Sequence, residues 1–231
     1  MDRRSFMAAG GSALALFPAA ASARDTGAPA ALPRRDAVRV AFLLGDNANV
    51  IDTFGPWEVF QDTAVPGLFG ASNPFRLYTV APSRGPLRMT GGLTVLPDHT
   101  LEDAPQPHLI VVPAQRAGDA ARDWLRRASA GADVVLSICT GAFQLARAGL
   151  LDGLRATTHH AFWDSFARQF PAVELHRGLR FVDNGRIATA GGLTSGIDLA
   201  LHVVQRYYGA EVAAATAAYM EYAGEGWRAP A

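Results

Sequence analysis

Asp133-Val134-Val135-Leu136-Ser137-Ile138-Cys139-Thr140-Gly141-Ala142-Phe143-Gln144-Leu145-Ala146 holds the only cysteine of a 231-residue chain. Five of the six residues from Val134 to Cys139 are apolar, which reads as a strand buried on both faces. Thr140-Gly141-Ala142 then opens a helix with Phe143, Leu145 and Ala146 as its apolar positions. Cys139 therefore falls on a strand-to-helix turn. Such a turn lifts a side chain out of the sheet toward the first amides of the next helix, whose partial positive charge favours a thiolate. Two readings stay open on position alone: a nucleophile, or a small buried hydrophobe.

Working outward, Val38 to Leu44, Phe75 to Ala81 and His108 to Pro113 read as further strands. A helix after the first strand is expected to start with Asp52 and Thr53 as capping residues, Pro56 in its first turn and Trp57, Val59 and Phe60 on its apolar face. Gly85 to Leu96 reads as a hairpin around Gly91-Gly92. A helix is predicted near Ala120 to Ala130. Short strands follow at Ala156 to Thr158, Val173 to His176, Leu179 to Val182 and Arg186 to Ala190, the last two joined at Asn184-Gly185. Helices are predicted over Ala161 to Phe170, Thr194 to Tyr208 and Ala210 to Tyr222. Strands alternating with helices imply an α/β fold with a mostly parallel sheet and helices on both faces. In such sheets ligands bind at the carboxyl ends of the strands. Asp52, the turn Pro113-Ala114-Gln115 and Cys139 all fall on that edge, which strengthens the catalytic reading. A carboxyl beside a thiolate is raised by like charge and partial burial, and can then give or take a proton.

Lys and Arg number 21, matched by 21 Asp and Glu. A balanced chain with no basic run offers no support for nucleic-acid binding or for electrostatic attachment to a membrane. Arg3-Arg4-Ser5-Phe6-Met7, the mild apolar run Ala8 to Ala20 and Ala21-Ser22-Ala23 together read as a twin-arginine-type signal peptide over residues 1–23, with a periplasmic or secreted product. Residues 24–36 read as a disordered linker and 37–224 as one domain. An exported protein with one cysteine keeps a free thiol in an oxidising compartment, which only burial or chemistry justifies.

Four stretches resemble the ThiJ/PfpI family of the class I glutamine-amidotransferase-like superfamily: Ile51 to Val59 (IDTFGPWEV), Ser137 to Ala142 (SICTGA), Ala148 to His159 (AGLLDGLRATTH) and Ala190 to Asp198 (AGGLTSGID). Within it the chain is similar to isonitrile (isocyanide) hydratases and to the domains fused to some AraC-type regulators. The resemblance implies a flavodoxin-like three-layer sandwich, a homodimer and a small-molecule substrate, with no metal or organic cofactor. It assigns the nucleophile-elbow role to Cys139, the acid/base role to Asp52 and a supporting hydroxyl to Thr140. The implied course is attack by Cys139 on an isonitrile to give a thioimidate, proton transfer and water activation by Asp52, and release of an N-substituted formamide. Ala114, Gln115, Gly141 and His159 are the expected substrate-binding or oxyanion positions. Where the family has Pro-Gly-Gly this chain has Pro113-Ala114-Gln115, and Thr140 stands where protease-like members have His, which argues against peptidase and amidotransferase activity. Glyoxalase-like or protein-repair chemistry, and ligand binding or redox sensing without turnover, are the alternatives.

His159 and His160 invite a metal reading, but adjacent residues on an extended segment point to opposite sides, and no Cys or carboxylate stands at ligand spacing. His99, His108, His176 and His202 read as surface or packing residues. Glu58 reads as an exposed helix position, and Ser195 as a capping or packing residue.

Overall fold

The burial of Val38–Leu43 (β1) on both faces is the fold's starting point: five of its six residues are buried, Arg39 alone being half-exposed. In the computed structural model, which describes residues 30–67 and 72–228, β1 is an interior strand of a seven-stranded sheet. In chain order, α1 (Val50–Gln61), β2 (Phe75–Ala81), β3 (Leu87–Arg88), β4 (Thr94–Val95), β5 (His99–Thr100), β6 (Leu109–Val112) and α2 (Asp119–Ser129) follow it. Then come β7 (Val134–Ile138), α3 (Gly141–Arg147), β8 (Arg155–Ala156), α4 (Trp163–Gln169), β9 (Glu174–Leu175), β10 (Phe181–Asp183), β11 (Ile187–Ala190), α5 (Ser195–Tyr208) and α6 (Ala210–Tyr219).

The sheet runs β10-β11-β7-β6-β1-β2-β5. Every neighbouring pair is parallel except β10 with β11, the hairpin read at Asn184-Gly185. Alternate residues of the parallel strands feed two cores, as the two-residue side-chain period requires. Val38, Val40, Phe42, Leu109, Val111, Leu136 and Ile138 pack under α1, α5 and α6. Ala41, Leu43, Ile110, Val112 and Val135 pack under α2, α3 and α4. The result is the three-layer, mostly parallel sandwich expected of the sequence.

Departures have local causes. The hairpin around Gly91-Gly92 forms as β3 and β4, whereas the edge strand β5 has no counterpart in the sequence reading because two half-exposed residues carry no periodic signal. The cap of α1 lies three residues before the expected Asp52, because Asn49 accepts from the Ile51 and Asp52 amides and so takes that role. Residues 30–36, read as part of a disordered linker, lie against the base of the sheet: Leu32 is buried, its N–H bonds Arg206 O at 2.9 Å, and Arg35 pairs with Asp133. The packing also extends past Tyr222 to Trp227, which is 1% exposed. The leader read over residues 1–23 lies outside the described residues. Among the described residues, no helix is long and apolar enough to cross a membrane.

Candidate active site

β7 ends at Ile138 and α3 starts at Gly141, so Cys139 bears the whole change of direction. Its φ is 57°, a left-handed conformation that costs a non-glycine residue about 1–3 kcal/mol and persists only where the surroundings enforce it. They do so from three sides. The Cys139 N–H is shared between Gly191 O at 2.8 Å and Ala190 O at 3.2 Å, and its carbonyl accepts the Thr158 hydroxyl at 2.7 Å. Gly141 lets α3 seat this closely, since a Cβ there would lie 2.1 Å from Val112 O.

Asp52 reaches the same point from the first turn of α1. Its side chain is fully buried, and Oδ2 accepts the Ala114 N–H at 3.1 Å. Oδ1 has no hydrogen-bond partner among the described residues. Burial raises the carboxyl to about 6, against weaker downward pulls from the Ala114 and Leu193 amides and the Cys139 thiol. The Leu193 amide and the Cys139 thiol face the carboxyl, and Oδ1 is the oxygen left to meet a ligand.

The thiolate expected from the helix N-terminus is corrected here. Burial first, and the Asp52 charge second, push the Cys139 thiol up to about 12, while the Thr140 amide and hydroxyl pull it down. Helix α3 is only seven residues long, and its field does not offset desolvation. The resting proton therefore sits on sulfur and the charge on Asp52. Such a pair works by general-base activation: Asp52 takes the thiol proton as sulfur attacks.

Thr140 stands at the cap of α3 with no side-chain capping bond, its hydroxyl turned to the sulfur. Ala114 contributes its backbone, giving its N–H to Asp52 and its carbonyl to the Asn49 amide at 2.8 Å. The Gln115 side chain turns away from the thiol, its Nε2 donating to Leu43 O at 2.8 Å. His159 borders the site rather than touching sulfur in any recorded contact: Thr158 beside it holds the Cys139 carbonyl, and a Cβ on Gly192 would lie 2.1 Å from His159 Cδ2. His159 and His160 do not diverge as an extended segment would make them. They enter a 3-10 turn and stack, ring centroids 4.3 Å apart. Among the described residues, no group of three His, Cys, Asp or Glu side chains is disposed to hold a metal.

Two contributors escaped the sequence reading. Thr158 and Leu193 lie in the family-like stretches but carry no site role in the sequence reading; Thr158 holds the Cys139 carbonyl, and Leu193 adopts a φ of 55° that turns its amide toward Asp52. Neither residue type advertises such a role; the double glycine before Leu193 was the available signal. A cleft of about 690 Å³ between the β5–β6 connection and α2, and another of about 460 Å³ between α1 and α6, lie away from Cys139. Neither brings a nucleophile and a base together, so the chemistry is assigned to the Cys139–Asp52 pair.

A profile of the DJ-1/PfpI family matches residues 38–206. Isonitrile hydratase from Pseudomonas putida is 33% identical over 194 residues, which cover 81% of this chain and 79% of that enzyme. The HTH-type transcriptional regulator CdhR of Pseudomonas aeruginosa is 33% identical over 144 residues, 60% of this chain and 43% of the regulator. The chain thus spans about half the length, or less, of the regulators CdhR and GbdR that it matches. Among solved structures, a ThiJ/PfpI family protein from Pseudomonas syringae superposes with a TM-score of 0.72 at 24% identity, covering 84% of this chain and 78% of that one. Drosophila melanogaster DJ-1beta superposes at 0.68 with 16% identity, covering 81% and 100%.

Proposed function

Because the chain belongs to the DJ-1/PfpI family, we propose that it is a cysteine-dependent hydratase converting small isonitriles to N-substituted formamides. The observation that carries this reading is the buried Asp52–Cys139 pair, with a carboxyl raised to about 6 facing a thiol that remains protonated. The similarity to an isonitrile hydratase over most of both chains supports it.

In the first step the Cys139 sulfur bonds to the isonitrile carbon, Asp52 takes the thiol proton, and that proton passes to the same carbon. The product is a thioimidate, Cys139-S-CH=N-R. Water then adds to that carbon with Asp52 as base, the C=N pair moves to nitrogen and is protonated, and the C–S bond breaks. The formamide leaves and the proton returns to sulfur. Thr140, whose amide and hydroxyl face the sulfur, supports the charge that develops there.

Formamide release from benzyl isonitrile, measured for the wild type and for Cys139→Ala, tests the proposal. Turnover is expected only in the wild type; equal turnover in both would sink it.

The matches to transcriptional regulators favour a second reading, a ligand-binding or redox-sensing module without turnover. Saturable ligand binding with no product formed would select it. The proposal includes export by a twin-arginine leader and a homodimer. Cell fractionation and sedimentation velocity decide these, a cytoplasmic protein or a monomeric species counting against them.

A further inference from the structure

Asp198 lies in the first turn of α5 and is 1% exposed. A carboxylate buried that deeply must be paired, and its partners come from two directions. Arg180, the residue before β10, donates Nε to Oδ2 at 2.6 Å and sets Nη2 on the same oxygen. From beyond α6, the Tyr222 hydroxyl donates to Oδ1 at 3.0 Å. This cluster meets the candidate site through one short segment.

Residues 191–194 join β11 to α5, and Arg180 holds them at both ends. Its own carbonyl accepts the Gly191 N–H at 2.9 Å, while its guanidinium grips Asp198 and reaches the Thr194 hydroxyl at 3.5 Å. Between these anchors lies the part that faces the chemistry. Gly191 O takes the Cys139 N–H at 2.8 Å, and Leu193, bent into the left-handed region at a φ of 55°, turns its N–H to the Asp52 carboxyl. A leucine keeps that conformation only where its flanks enforce it. The far flank is already seated: a Cβ on Gly196 would stand 3.0 Å from Ile138 Cγ1 and 3.3 Å from Pro56 Cγ, so the start of α5 is packed against β7 and α1.

We propose that Arg180 is a positioning residue for the base: by fixing both ends of residues 191–194, it holds the Leu193 N–H on the Asp52 carboxylate. Its importance to turnover rests on the hydratase reading above. An N–H aimed at a carboxylate favours the ionised form, so the Leu193 amide pulls Asp52 down against the larger upward push of burial. Releasing the turn removes that pull and leaves less of the base ionised at a given pH. Of the other groups facing Asp52, the Ala114 amide does not titrate, and the Cys139 thiol stays protonated throughout this range.

The test reads Asp52 directly, by 13C titration of protein labelled at the aspartate carboxyl carbons, its signal being the one lost in Asp52→Asn. Wild type should titrate at about 6. Arg180→Met combined with Asp198→Asn removes the fork and one charge of each sign, leaving no buried carboxylate unpaired. Its Asp52 midpoint is expected to rise by at least about 0.5 pH. Tyr222→Phe breaks the other bond to the same carboxylate but leaves Arg180 in place, so its midpoint should stay within about 0.2 pH of wild type. An unmoved midpoint in the folded double variant overturns the proposal, as does an equal rise in Tyr222→Phe. Arg180→Lys keeps the charge and gives up the fork, which covers a double variant that does not fold: a rise in the same direction is expected, and no rise is equally fatal. With benzyl isonitrile, the acid limb of kcat/KM should move with the carboxyl. If wild type forms no formamide, the hydratase reading falls, while the carboxyl titration still decides the role of Arg180.

Discussion

Asp52 occupies the third helical position of α1, where an acidic side chain can reach back to the N–H of the capping residue. It does not do so here. The Asn49 amide bonds Ala114 O, and the Asp52 carboxyl accepts the Ala114 N–H, a reciprocal exchange that frees the acid for the thiol. The exchange leaves Asp52 fully buried with one oxygen unpaired, and its pKa rises from 3.8 to about 6. The folded carboxyl thus binds its proton more tightly than the unfolded one. Its stabilising protonated state is fully kept below pH 3.8, is lost as pH climbs to about 6 and stays lost above that. A shift of this size corresponds to about 3 kcal/mol. Asp52→Asn, which keeps an oxygen for Ala114 and removes the charge, is expected to raise the thermal midpoint at pH 7 by about 2–4 °C per kcal/mol recovered and to change it little at pH 4. Calorimetry at the two pH values checks this, and an unchanged midpoint at pH 7 would refute the burial argument. The same acid sets the rate profile: kcat/KM should climb through about pH 6 as Asp52 becomes the base that takes the thiol proton.

Among the elements, α3 is the shortest link between sheet and site, seven residues seated on the end of β6. Its approach is closed at Gly141, whose added Cβ would meet Val112 O at 2.1 Å and Pro113 O at 3.0 Å. Both obstacles are backbone and cannot rotate away. Gly141→Ala should therefore destabilise by about 3 kcal/mol, the upper range for overpacking, and displace Cys139 enough to lower turnover. Gly118→Ala is the control: it caps α2 with a φ of −81° and nothing within 4 Å, so a change under about 1 kcal/mol is expected. Urea denaturation of both variants separates the cases, and similar losses would contradict the steric account. This element also shows what could be read in advance. Apolar runs such as Val134 to Ile138 and Leu109 to Val112 announce buried parallel strands, and Asn184-Gly185 announces its hairpin, because burial and turn chemistry are local. The two-residue β5 and the half-turned stack of His159 on His160 depend on contacts distant in sequence. So does the thiol's protonation: the helix end alone favours a thiolate at Cys139, but burial in the folded chain and the charge of Asp52, 87 residues away in sequence, outweigh it.

Across the whole molecule, the two sheet edges do different work. The carboxyl ends of β1, β6, β7 and β11 converge on Cys139, while the opposite edge is fastened by buried charge. Asp183 accepts from Arg206 at 2.9 Å and lies 3.0 Å from His202 Nε2, its side chain wholly inaccessible. Arg206 extends this network outward, its Nε and Nη2 donating to Ala30 O at 3.2 and 3.1 Å. Arg35 forks onto Asp133, which also takes the Tyr207 hydroxyl, and Tyr208 bonds Arg35 O. Residues 30–36 are thus a strap across the base of the sheet, its Leu32 buried in the core. A chain beginning at Ala30 keeps every one of these contacts. One beginning at Ala37 exposes the Leu32 site, worth about 2 kcal/mol, and takes Ala30 O from Arg206 and Arg35 from Asp133, leaving them Asp183 and Tyr207, a further loss of about 1–2 kcal/mol. The second chain is expected to melt about 6–16 °C lower than the first, while kcat/KM at 25 °C stays within about twofold because Cys139 lies at the other edge. Equal midpoints would mean that the strap is an ornament of the base rather than part of its support.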